Sequence, residues 1–253
     1  LIIAEDPSTI AAFIAEPITG ASGVIVPPDG YYEGIQNVLD KYGIMFWADE
    51  VITGFGRTGN DFGCTTMEIK SPDMMTFAKQ LSSAYMPISA SAIRRDVYEA
   101  MIDQSASAGA FGHGYTYSGH PVACAVALRV LEIYDRDEIF DRASTTGKYL
   151  QEQLSQFSSH PLVGEVRGSG LLAALELVPN KELNHQFKDG KVGGVAQKMA
   201  QDNGLLIRTV AGSSIGICPP LIITNNQIDE LIDKLGDALD KTFQYCQTYN
   251  LLT

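Results

Sequence analysis

The chain has 253 residues, 45% of them hydrophobic and 19% charged, and its 18 Lys and Arg against 30 Asp and Glu leave a formal net charge of −12. That is apolar enough for one large domain or two smaller ones with real cores, which excludes a disordered chain. A polyanion-binding face is excluded as the main business, because no Lys/Arg cluster exists to release phosphate counterions, and no nucleic-acid partner is expected.

Residues 104–128 and 209–228 carry no charged side chain. Neither reads as a membrane span: the first is rich in Gly, Ser and His, and the second is broken by Pro219-Pro220 and Asn225-Asn226. Cys64, Cys124, Cys218 and Cys246 are scattered without a CxxC pair, so neither a zinc site nor a disulfide framework is signalled. Reduced thiols in a cytoplasmic protein are the expectation. The chain opens on Leu1 with no basic segment ahead of an apolar run, and it reads as a piece of a longer polypeptide.

In chain order, residues 11–15 form a short apolar run ending at Glu16-Pro17, the pattern of a buried parallel strand. Residues 31–42 place Ile35, Val38 and Leu39 on one helical stripe closed by Gly43. A second buried strand over 44–48 runs straight into Asp49-Glu50, a third over 74–78 ends at Lys79, and a fourth covers 88–93. Strands alternating with helices predict an α/β sheet wound by right-handed crossovers, and chemistry in such sheets collects beyond the carboxyl ends of strands. Asp49 and Lys79 both fall there.

A helix starts at Pro121, and residues 122–134 are apolar nearly all round, which predicts burial on every side and a bridge between two domains. Further on, the pattern predicts paired strands over 163–178, a helix over 194–203 capped by Gly204, and strands over 205–208 and 215–223, the latter interrupted at Pro219-Pro220. A final helix from about Asn226 carries Ile228, Leu231, Ile232, Leu235, Leu239 and Phe243 at helical spacing. The expected division is residues 1–134 as part of a large domain and 135–253 as a smaller α+β domain.

Lys79 ends an apolar run, where it is either a strand-end lysine reaching water or an amine desolvated enough to attack a carbonyl cofactor. Asp49 is either a cap for the next loop or an anion facing a buried cation, such as the protonated ring nitrogen of pyridoxal phosphate. The Gly-rich segment 109–121 precedes a helix N-terminus, where backbone amides and the Thr116 hydroxyl can meet a phosphate; a plain surface loop is the alternative. His113 and His120 lack a spaced carboxylate partner, so no metal is expected. Residues 54–59 lack both GxGxxG spacing and a Walker lysine and read as a tight turn under the site. Arg208 is either a surface arginine or a bidentate clamp for a substrate carboxylate.

Four motifs then occur in one order: Glu16-Pro17; Ala48-Asp49-Glu50-Val51 with Thr53-Gly54-Phe55-Gly56-Arg57-Thr58-Gly59; Phe77-Ala78-Lys79; and Tyr115-Thr116-Tyr117-Ser118-Gly119-His120-Pro121. Together they resemble the class III pyridoxal-phosphate-dependent aminotransferases, in the ω-amino acid or amine:pyruvate branch, across essentially the whole chain. The resemblance implies an α/β fold-type I PLP-dependent transferase, here a partial large domain with a mainly parallel sheet plus the smaller C-terminal α+β domain. It implies a homodimer with shared active sites, an amine donor and a keto acid acceptor.

By motif match, Lys79 is the catalytic lysine joined to pyridoxal 5'-phosphate, Asp49 pairs with its ring nitrogen, and Val51 packs on the ring. Thr116, with Tyr115 beside it, reaches the phosphate held by the neighbouring subunit. Arg208 binds the substrate carboxylate, and Glu16 supports the pocket from behind. The family's upstream phosphate-cradling turn and ring-stacking aromatic do not occur before Asp49, so the chain resembles the C-terminal part of a subunit, expected to be inactive alone. An aminomutase, a dialkylglycine-type decarboxylase and an inactive truncated homologue remain the alternatives at this stage.

Overall fold

In the computed structural model, the described residues are 1–182, 187 and 190–252. The chain forms two compact units: one made of Leu1–Pro17, Pro27–Phe55 and Phe62–Glu138, the other of Ile18–Val26, Gly56–Asp61 and Ile139–Thr253.

The first unit is built on a four-stranded sheet in the order β1-β2-β3-β4, with strands Ala12–Ala15 (β1), Met45–Asp49 (β2), Met74–Phe77 (β3) and Ala90–Ile93 (β4). Helix α1, Tyr31–Tyr42, lies between the first two strands and ends at Gly43, whose φ of 65° is open to glycine at little cost. The short helix α2 is Gly63–Thr66, and α3 and α4 are Arg95–Ala108 and Pro121–Arg136. β1, β2 and β3 pair in parallel. β4 departs from the expected crossover and runs antiparallel to β3. The connection from Ala78 to Ser89 contains only a single 3₁₀ turn, Lys79–Leu81, and no helix to carry the chain back across the sheet.

Burial along β2 alternates, with Phe46 and Ala48 inside and Met45, Trp47 and Asp49 half-covered. The inward pair meets Tyr32 and Leu39 of α1, Cys64 of α2, and Ile44 and Ile69 in one apolar core. Helix α4 corrects a second expectation. Only Ala123, Ala127, Val130 and Tyr134 are buried, one residue per turn on a single face, while Val122 and Leu128 are more than half exposed. Small side chains at 123 and 127 let one face pack closely, and nothing in this unit covers the other. α3 was not expected from the sequence, although Val97, Tyr98, Met101 and Ile102 recur at helical spacing; it buries no residue.

The second unit carries α5 (Ile139–Ser155), the hairpin β5 (Val163–Ser169) and β6 (Leu172–Leu177), α6 (Lys191–Asp202), β7 (Arg208–Val210), β8 (Ser214–Ile217) and α7 (Asn225–Thr248). The sheet order is β5-β6-β8-β7, antiparallel throughout. Two boundaries differ from the sequence reading. Arg208 begins β7 instead of ending it, and β8 stops at Ile217 because Pro219 and Pro220 offer no amide hydrogen to a ladder.

Leu150, Leu154, Leu162, Leu171, Leu175, Leu177, Ile215, Ile228, Leu235 and Leu239 are fully buried here, each contributing roughly 1.5–3 kcal/mol against exposure. Residues 56–61 are woven into this unit. The Leu171 amide donates to the Arg57 carbonyl at 3.0 Å and the Ser169 hydroxyl to the Thr58 carbonyl at 3.0 Å. Gly170, at φ 58°, lies so close that an added Cβ would sit 2.3 Å from the Thr58 carbonyl carbon.

Helix α7 starts in a capping box: the Thr224 hydroxyl accepts from the Gln227 amide while the Gln227 side chain accepts from the Thr224 amide. Thr224→Ala removes one half of that box and is expected to lower stability by about 1 kcal/mol, read as a lower midpoint in urea unfolding with an unchanged slope.

Candidate active site

The parallel pairing of β1, β2 and β3 brings three of the sequence-assigned residues to one end of one sheet. Ala15 pairs with Ala48, which places Glu16 beside Asp49; Asp49 pairs with Thr76, three residues before Lys79. Glu16, Asp49 and Lys79 therefore leave neighbouring strands at their carboxyl ends, where an open α/β sheet presents its binding crevice.

Asp49 is half-buried, and its Oδ1 accepts the Val51 amide at 3.0 Å, so the carboxylate and Val51 are fixed relative to one another. Glu16 is half-buried at the end of β1, and its carbonyl accepts the Tyr32 hydroxyl at 2.6 Å. Burial pushes the Tyr32 hydroxyl well above the usual tyrosine range, so it remains a donor.

Lys79 is exposed and opens the 3₁₀ turn at a φ of 39°. Ser83 and Ala84 also have positive φ, at 49° and 63°. Three non-glycine residues in the left-handed region within six positions is a strained turn, and strain of this kind persists only where the surroundings over-determine it. Besides the turn's own backbone bonds, two side-chain hydrogen bonds hold it. The Tyr134 hydroxyl donates to the Gln80 carbonyl at 2.8 Å, and the buried Ser82 hydroxyl donates to the Met86 carbonyl at 2.7 Å.

Tyr115 and Thr116 stand on an exposed turn ahead of α4, with Tyr115 74% exposed. The Phe111, His113 and Tyr115 rings follow one another at centroid distances of 5.6 and 5.2 Å. Arg208 belongs to the second unit and is exposed at the start of β7, opposite Gly216. Among the described residues no group of three or more His, Cys, Asp or Glu side chains could hold a metal ion, and no helix is long and apolar enough to cross a membrane.

Two buried ionisable residues escaped the sequence reading. Glu50 is fully buried, and its carboxylate accepts the Thr53 hydroxyl, the Gly63 amide at 2.9 Å and the Cys64 amide at 2.7 Å. Burial, and then the nearby Glu50 charge, push the Cys64 thiol far above its ordinary range. The signal was present in the alternation along β2, since consecutive residues at a strand end point to opposite faces. Arg57 is also buried, and its Nη1 donates to the carbonyls of Leu171 and Pro219 at 2.9 and 2.6 Å. It ties residues 56–61 to the Pro-Pro stretch after β8, all within the second unit.

This donor set suits pyridoxal 5'-phosphate: an anchored carboxylate for a ring nitrogen, a primary amine for a carbonyl, and a hydroxyl ahead of a helix N-terminus for a phosphate. Comparison with known proteins agrees with that chemistry. The family model for class-III aminotransferases, whose members use pyridoxal 5'-phosphate, matches residues 1–239. The chain is 49% identical to gamma aminobutyrate transaminase 1, mitochondrial, of Solanum lycopersicum over 96% of its own length and 47% of that protein's. It superposes with a TM-score of 0.93 on the crystal structure of the omega transaminase from Pseudomonas jessenii in complex with PMP, at 47% identity over 96% of this chain and 54% of that one. A solved transaminase with L-ala gives a TM-score of 0.94 at 46% identity, covering 96% of this chain and 57% of the other. The chain thus spans about half the length of the relatives it matches. It belongs to the class-III aminotransferase family.

Proposed function

We propose that this chain carries the lysine, the ring-nitrogen anion and the carboxylate clamp of a pyridoxal-phosphate-dependent transaminase. The enzyme moves an amino group from an ω-amino acid or primary amine to pyruvate or a similar keto acid by a ping-pong route. The observation that carries this reading is the delivery of Asp49 and Lys79 to the same end of adjacent parallel strands. Support for the donor class comes from relatives named for γ-aminobutyrate and solved as ω-transaminases, and for the acceptor from a neighbour solved with alanine, the product of aminating pyruvate.

When bound, the cofactor supplies an electrophilic carbonyl and a ring that takes up the charge left by a departing α-proton. The rest falls to side chains of this chain. Asp49, held by the Val51 amide, would pair with the ring nitrogen, and Val51 would give the ring an apolar face. The Lys79 ε-amine would hold the cofactor through its carbonyl and would serve as the base that takes and returns the donor's proton. The turn held by Tyr134 and Ser82 keeps that amine at the strand end. Thr116 and Tyr115, exposed in the single chain, serve the phosphate of a second subunit in a homodimer. Arg208 forms a bidentate pair with the carboxylate of the keto or amino acid. Glu16 supports the pocket through its place beside Asp49. Four free cysteines suit a reducing, cytoplasmic setting, although the tomato relative carries a mitochondrial name.

Borohydride reduction of the complete, cofactor-loaded polypeptide is expected to fix the label on the peptide containing Lys79, and Lys79→Ala to lose both label and turnover. A label elsewhere overturns the assignment. Arg208→Ala is expected to raise KM for the keto acid about 10- to 100-fold, the value of a charge-assisted bidentate contact. KM for a donor without a carboxylate should stay near that of the unaltered enzyme; equal losses for both substrates would remove Arg208 from carboxylate binding. Residues 1–253 alone are expected to show no turnover with added cofactor.

A further inference from the structure

Asp49 and Glu50 are adjacent carboxylates with opposite fates. β2 turns Asp49 to the half-covered face and Glu50 into the core, where its side chain is fully buried. A carboxylate taken out of water is costly unless its lone pairs are filled. Here Oε2 accepts the Thr53 hydroxyl and the Gly63 amide, and Oε1 accepts the Cys64 amide. Two of those donors are the first amides of α2, a one-turn helix that has no side-chain cap of its own. The third lies three residues beyond Glu50, and the Gly54 amide closes the same turn onto the Glu50 carbonyl at 3.1 Å. The fit leaves no slack at Gly63, where an added Cβ would lie 2.6 Å from the Thr53 Cβ and 2.9 Å from the Pro17 Cβ.

We infer that Glu50 is a positioning residue for the cofactor site, acting through residues 51–54 to hold Asp49 and Val51 in place; this rests on the reading of Asp49 and Lys79 given above. The Glu50 carboxylate draws Thr53, Gly63 and Cys64 onto one point. The backbone leaving β2 then has one available path, and the Val51 amide on that path is the donor that orients Asp49. Glu50→Gln keeps the shape but replaces one acceptor oxygen by an amide that faces an N–H, so the path loosens while the fold is kept.

The test uses the complete, cofactor-loaded polypeptide. Glu50→Gln is expected to weaken cofactor affinity and lower kcat about 10- to 100-fold, the usual effect of removing a group that orients a ligand's own partners. KM for the keto acid should hold, and the pH at which the bound cofactor changes its absorbance should move. Thr53→Val removes one donor without altering shape and is expected to act in the same direction more weakly, with Thr53→Ser restoring function. Should Glu50→Gln fail to fold, the Thr53 pair decides.

The inference is overturned if the altered proteins retain the original cofactor affinity, kcat and absorbance pH profile. It is equally overturned if only thermal midpoint or yield falls while the folded fraction behaves normally. Lys79→Ala separates the two ideas: retention of label and turnover there sinks the site itself, whereas their loss beside an unaffected Glu50→Gln sinks only the role of Glu50.

Discussion

The first unit depends on how a buried carboxylate is satisfied at the end of β2. Glu50 is drawn inward by strand alternation, and among the described residues no ion pair to it is seen; a hydroxyl and two backbone amides of the following loop and helix donate to it. Because an unpaired buried charge is intolerable, the loop must close on it. Closure in turn sets where the chain goes after Asp49. The buried carboxylate thereby fixes the backbone that runs beside Asp49.

The same division of labour recurs at Lys79. Three left-handed non-glycine residues would relax in a free peptide, yet the Tyr134 hydroxyl holds the turn from outside it and the Ser82 hydroxyl from within. Tyr134 comes from the buried face of α4, whose small residues at 123 and 127 allow close approach. The strain is local while part of its support, Tyr134, is distant in sequence, which is the pattern expected where the surroundings over-determine a strained turn.

The second unit shows the converse economy. Its antiparallel sheet and three helices form a well-filled apolar core, and some of its buried polar groups fasten loops. Arg57 is the clearest instance: a buried guanidinium spent on two carbonyls, one of them in the Pro-Pro stretch that ends β8. The Gly-rich run around it therefore serves packing, with Gly170 leaving room for backbone alone. Arg208, on the neighbouring strand β7, keeps an exposed side chain while β8 beside it is mostly buried.

Sequence alone determined the elements whose signal is periodic or punctuated: α1 between its stripe and Gly43, the three parallel strands, the 163–178 hairpin and the long helix α7. It also placed Asp49 and Lys79 at strand ends, because an apolar run meeting a charge is visible without coordinates. Tertiary structure decided what depends on partners far along the chain. The direction of β4 followed from a connection that holds no crossover helix, and the start of β7 at Arg208 from pairing with β8. The exposed side of α4 has no covering layer in its unit, and apolar content cannot report that. Above all, the separate environments of Asp49 and Glu50 emerge only when strand alternation is combined with a loop that returns 13 residues later, as far as Gly63, to fill the buried carboxylate. Periodicity is local and is written in the sequence; satisfaction of a buried charge is not, since its donors come from wherever the chain folds back.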